Sequence, residues 1–112
     1  MATHYWKSMW DPTESEWREL ARSKKDLLRM RDNSLIAMAD NENRYARYDD
    51  MLLDVTERLK RRPNSIELLQ EKKAIERKLK QTDQKIEFYR RRAEKAKELL
   101  REKWNFESQT WR

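Results

Sequence analysis

The chain has 112 residues, 43% of them charged and 37% hydrophobic, with no glycine, no cysteine, two prolines and a formal net charge of +6. That length allows one domain at most, and the missing glycine and cysteine exclude phosphate-cradling loops, disulfides and thiolate chemistry. The remaining composition, rich in Lys, Arg, Glu, Leu, Met, Gln and Ala, specifies an all-α protein of long helices.

Residues 1–11 form an N-terminal aromatic arm. Asp11 is a suitable N-cap, Pro12 fits the first helical position, and Glu14 stands where a capping box needs it. The residue before a proline is driven toward extended conformation, which sets the arm at an angle to the helix that follows.

From Trp17 an alternation of threes and fours runs through Leu20, Lys24, Leu27, Arg31, Ser34, Met38, Asn41, Tyr45, Tyr48, Leu52, Val55 and Leu59. The spacing predicts one helix over 12–61. The polar cluster Asp40-Asn41-Glu42-Asn43 could break it, but the Asp40–Arg44 pair, one turn apart, favours continuation. Arg62-Pro63-Asn64 ends the pattern.

Asn64 caps a second helix over 65–104, with Glu67 completing a second box. Its stripe is Leu68, Lys72, Ile75, Leu79, Thr82, Ile86, Tyr89, Ala93, Ala96 and Leu100. Residues 105–112 read as a C-terminal aromatic tail.

A turn at 62–64 makes the two stripes face each other, with partners whose numbers sum to about 126–128. Leu59 then meets Leu68, Leu52 meets Ile75, Tyr48 meets Leu79 and Met38 meets Tyr89. The expected fold is a long antiparallel, coiled-coil-like helical hairpin. Because Lys24, Arg31, Ser34, Asn41 and Lys72 weaken the seam, and Leu28, Leu35, Leu53, Ile66, Leu69 and Leu99 lie beside it, a larger helical bundle or oligomer is expected.

The sequence is poor in catalytic equipment. His4, the sole histidine, has no acid or cysteine beside it, and no Glu-x-x-His pair offers a metal site. A non-enzymatic chain without metal, cofactor or small-molecule substrate is expected. Folding back brings both termini to one pole, where Trp6, Trp10, Trp17, Trp104, Phe106 and Trp111 would gather. There they either close a small satellite core or form a docking patch, since Trp anchors interfaces out of proportion to its numbers.

The positive excess falls in the second half: residues 64–112 carry 14 Lys or Arg against 9 acids, residues 1–63 carry 13 against 12. Arg61, Arg62, Lys73, Arg77, Lys80, Arg90, Arg91, Arg92, Lys95 and Arg101 are the candidate phosphate contacts, able to neutralise a polyanion without reading bases.

The first functional expectation is a structural or assembly protein that self-associates or docks on a protein partner through the hairpin and the aromatic pole. The alternatives are a non-specific nucleic-acid-coating or packaging protein, such as a virion coat subunit, and a small helical inhibitor or adaptor of another complex. Neither a signal peptide nor a run of about 20 apolar residues is present, so an intracellular (by default cytoplasmic) or virion location is expected, away from membranes.

Overall fold

The structure, a computed structural model, describes residues 6–105. Three α-helices follow one another: α1 over Glu14–Leu20, α2 over Lys24–Arg61 and α3 over Ile66–Trp104. Among the described residues there is no strand. Helices α2 and α3, of 38 and 39 residues, pack against each other as an antiparallel hairpin. The chain divides into two compact units, the first made of Met1–Met38 with Glu87–Arg112, the second of Ala39–Ile86.

The expected helix over 12–61 is in fact two. Toward the end of α1 the main-chain bonding tightens, with the Arg22 N–H donating to the Glu19 carbonyl at 3.2 Å and that of Ser23 to Leu20 at 3.1 Å. Such three-residue bonds close a helix. Ser23 then restarts the chain, its hydroxyl accepting the Asp26 N–H at 3.2 Å as an N-cap does. Ser-x-x-Asp at 23–26 is thus a start signal inside what the periodicity presents as one stripe. By contrast, Asp40–Asn43 is helical throughout.

Both caps fall away from their expected positions. Thr13, not Asp11, caps α1: its hydroxyl accepts the Glu16 N–H at 3.2 Å while its own N–H donates to the Glu16 carboxylate at 2.9 Å. Both halves of the box are satisfied there, and Pro12 lies buried ahead of it. Ser65, not Asn64, caps α3 by accepting the Leu68 N–H at 3.3 Å. At its far end α3 stops at Asn105, whose φ of 54° is left-handed. In a chain without glycine, asparagine is the residue that tolerates this conformation best.

The first unit holds the larger core. Trp6, Trp17, Leu20, Ala21, Leu27, Met30, Ala96 and Leu100 form one buried cluster, with Trp10, Leu28 and Leu99 packed on it. On α2 the stripe's Leu27, Ser34 and Asn41 are buried, but between them Met30 and Ala37 are buried where the stripe names Arg31 and Met38, which are only half-buried.

In the second unit the buried apolar residues are Val55, Leu68, Ile75 and Ile86, joined by Asn41 and Thr82. Thr82 returns its hydroxyl to the Lys78 carbonyl at 2.7 Å, so its burial leaves no unmet donor. Across this seam Arg58 reaches Glu71 at 3.3 Å, and the Lys78 ammonium sits 5.7 Å from the Tyr48 ring centroid. The latter pair obeys the predicted register and the former lies close to it; Ser34 with Arg92 obeys it in the first unit.

The cap assignments lead to an expected outcome. Ser65→Ala should lower stability by about 1 kcal/mol, whereas Asn64→Ala should stay within about 0.5 kcal/mol of the parent. Urea denaturation followed by circular dichroism distinguishes the two.

Candidate functional site

The most unusual chemistry among the described residues is a buried cation. Arg92, on α3 in the first unit, is 3% exposed. Its Nε donates to the Ser34 hydroxyl at 2.7 Å. One terminal nitrogen, Nη1, donates to the carbonyls of Ser8 at 2.6 Å and Trp10 at 3.0 Å, and Nη2 donates to the carbonyl of Trp6. A turn earlier on α3, the Tyr89 hydroxyl donates to the Lys7 carbonyl at 3.1 Å. The guanidinium carbon lies 5.1 Å from the Tyr89 ring centroid and 5.6 Å from that of Phe88.

No carboxylate is among these hydrogen-bond partners. The guanidinium is instead solvated by a hydroxyl, three main-chain carbonyls and two aromatic rings, which together replace the water that burial removes. Burial lowers its affinity for a proton, while Tyr89 and then Asp11 pull the other way. An arginine remains charged under such a shift because its ordinary pKa is so high.

The arrangement straps residues 6–10 to α3. A short 3₁₀ segment at Trp6–Lys7 and a turn at Ser8–Met9 bend the main chain so that alternate carbonyls converge on one guanidinium. The strap also packs on itself, with the Trp6 and Trp10 rings edge to face at 5.9 Å. Trp6 is 3% exposed, and its indole N–H has no acceptor among the described residues.

The predicted aromatic residues separate accordingly. Trp6 and Trp17 are core, Trp10 is half-buried against that core, and Trp104 is exposed at 41% with its indole N–H donating to the Ala21 carbonyl at 3.0 Å. These four come together within the first unit. Phe106 and Trp111 lie outside the described residues, as does His4.

The predicted basic residues separate too. Arg92 is not available to a phosphate: it faces the core and is engaged by Ser34 and the strap. Its neighbours Arg90 and Arg91 are exposed and share Glu87, and Lys95 reaches Glu14 at 3.8 Å. Arg101 is exposed in the first unit, and Arg61, Arg62, Lys73, Arg77 and Lys80 in the second. The three consecutive arginines thus have two different jobs. A sequence signal does exist: Arg92 has Phe88, Tyr89, Lys95 and Ala96 at the positions one turn away, with no acid among them, and it adjoins the buried Ala93.

Between α1 and the end of α3 a groove of about 330 Å³ is lined by Trp17, Ala21 and Leu99 with Glu14, Arg18, Arg22, Lys95 and Lys103. Its ionisable groups are one carboxylate and four exposed or half-exposed cations, a set without a nucleophile poised beside a base. Among the described residues no group of three or more metal-ligating side chains converges, and no helix is long and apolar enough to cross a membrane. Comparison with protein-family models, curated proteins and solved structures gave no match.

Removing the cation should be costly. Arg92→Ala removes the donor to the buried Trp6 carbonyl and Ser34 hydroxyl and to the part-buried carbonyls of Ser8 and Trp10, and is expected to destabilise the protein by about 3 kcal/mol or more. Arg91→Ala is expected within about 0.5 kcal/mol of the parent. Arg92→Lys should rescue little, because an ammonium lacks the planar fork that reaches four acceptors. Guanidinium denaturation of the three variants checks the order.

Proposed function

We propose that the chain is a non-enzymatic assembly protein whose second unit associates through helix surface with a further copy or with a protein partner. The supporting observation is an imbalance in that unit. It buries four apolar side chains, yet leaves Leu53 at 62%, Ile66 at 70% and Leu69 at 42% exposure. Burying one such side chain contributes about 1.5–3 kcal/mol, so covering these three would add substantially to a thin seam. Ile66 and Leu69 are three apart on α3 and share a face, which makes them a natural centre for the contact.

The reading shifts the expected docking residues. Tryptophans held in the first unit's core are spent on folding, so the exposed aliphatic side chains of the second unit become the better candidates. Ile66→Glu with Leu69→Glu should preserve helix content, since both positions are exposed and glutamate is a good helix former. The same variant should weaken association about tenfold or more, as expected when buried apolar surface is removed. Light scattering after size exclusion, across a concentration series, reads the change. A parent chain that stays monomeric at every concentration would require the partner to be another protein.

One observation favours polyanion contact as a second reading. Arg61, Arg62, Lys73, Arg77 and Lys80 are exposed and make no ion pair with any described residue, unlike Arg58, Lys60, Arg90 and Arg91. These five cations are available to phosphate without first breaking a bond. If they are used on duplex DNA, converting all five to glutamine should reduce the slope of log affinity against log salt by about 0.9 for each phosphate no longer neutralised. An unchanged slope, measured by fluorescence anisotropy, would remove this reading.

A further inference from the structure

We infer that the strap of residues 6–10 is exchangeable, and that its seat on Tyr89 and Arg92 takes the same segment from a second copy of this chain. The inference rests on the assembly reading and supplies it with a specific mode of association.

The seat recognises main chain. Tyr89 and Arg92 together donate to the carbonyls of Trp6, Lys7, Ser8 and Trp10, and every one of these bonds can be made by the identical segment of another molecule. The strap carries its own packing pair, Trp6 against Trp10, and would travel as a unit. Between it and α1 stand only Asp11, Pro12 and the cap Thr13, all outside helix. A connection this short, reaching about 10 Å when extended, needs to re-aim at only a few torsions to point the strap at a neighbour.

Energetics select exchange over simple release. Lifting the strap away leaves Arg92 with Ser34 as its remaining partner and uncovers the indoles of Trp6 and Trp17. Water would rehydrate the guanidinium, but the uncovered indoles and the four hydrogen bonds given up make the vacant seat a poor resting state. When two copies trade straps, the carbonyl bonds and the aromatic packing that one molecule gives up are re-formed in the other. That balance is what makes swapping of an identical element a low-cost route to a dimer.

The test uses full-length chains, which contain no native cysteine. One version carries Asp11→Cys, the other Arg91→Cys; these positions line a common groove beside the seat. The two are mixed, unfolded in denaturant, refolded together over a range of concentrations and treated with a short bismaleimide. The expected result is a cross-linked product joining the two versions, its yield rising with concentration and abolished when the Arg91→Cys chain also carries Arg92→Ala.

Should that last variant fail to fold, a second measurement stands in. A fluorescent peptide of residues 6–13 added to the parent chain should bind, and the same peptide with Trp6→Ala should bind about tenfold more weakly or worse. Oligomers seen by light scattering with no cross-link and no peptide binding would overturn strap exchange and leave the assembly reading standing. A parent chain that remains monomeric, with neither signal, would overturn exchange and self-assembly together. Capture of the peptide without any cross-link between chains would overturn exchange between copies in favour of a seat for a foreign peptide.

Discussion

A single buried positive charge, hydrogen-bonded to no carboxylate, organises the first unit. Arg92 could not be buried among Ala93, Tyr89 and the tryptophan cluster unless something solvated it, and the hydrogen-bond acceptors within reach are the carbonyls of residues 6–10 and the Ser34 hydroxyl. The strap is therefore as much required by the arginine as the arginine is by the strap. Trp6 and Trp17 fill the space around this bond and Trp104 ties α3 to Ala21, so that α1, α2, α3 and the strap are joined by named polar contacts as well as by apolar packing. The bond to Ser34 adds a further constraint. It crosses the seam between α2 and α3 at one register, and a slip would strand a buried cation.

The second unit is built on different terms. Its polar seam contacts, Arg58 with Glu71 and Lys78 over Tyr48, join partly exposed side chains. Exposed contacts of these two kinds, an ion pair and a cation–π pair, contribute about 0–1 kcal/mol each. They help set register and add little to stability, which falls to Val55, Leu68, Ile75 and Ile86. Exposed aliphatic side chains occur here together with cations that make no ion pair with any described residue, whereas the first unit turns Trp6, Trp17 and Arg92 inward while leaving Trp104 and Arg101 at its surface.

Much of the hairpin was legible in sequence because period and register are collective signals. Many positions vote on a stripe, and the seam survives errors at any one of them. Asp40–Asn43, the segment that looked weakest, is helical, since solvent-facing polar residues cost a helix little when Asn41 is the only one turned inward. What escaped were features decided by one or two residues. Ser23 restarts a helix inside an unbroken stripe, and Thr13 and Ser65 displaced nearby rivals, Asp11 and Asn64, that satisfy the same capping rule. Arg92 was the larger miss. Counted with Arg90 and Arg91 it resembles a basic run; judged by the acids one turn away, it stands apart from both. Composition cannot show that a strap distant in sequence supplies the missing acceptors.

Every described tryptophan, Trp6, Trp10, Trp17 and Trp104, belongs to the first unit, while Ala39–Ile86 contains tyrosine as its sole chromophore of that kind in Tyr45 and Tyr48. Indole emission accordingly reports on one unit alone, whereas the far-ultraviolet signal sums helix from both. The molecule thus comes with a native optical label that separates melting of the strapped half from melting of the sparsely packed one, with no dye attached.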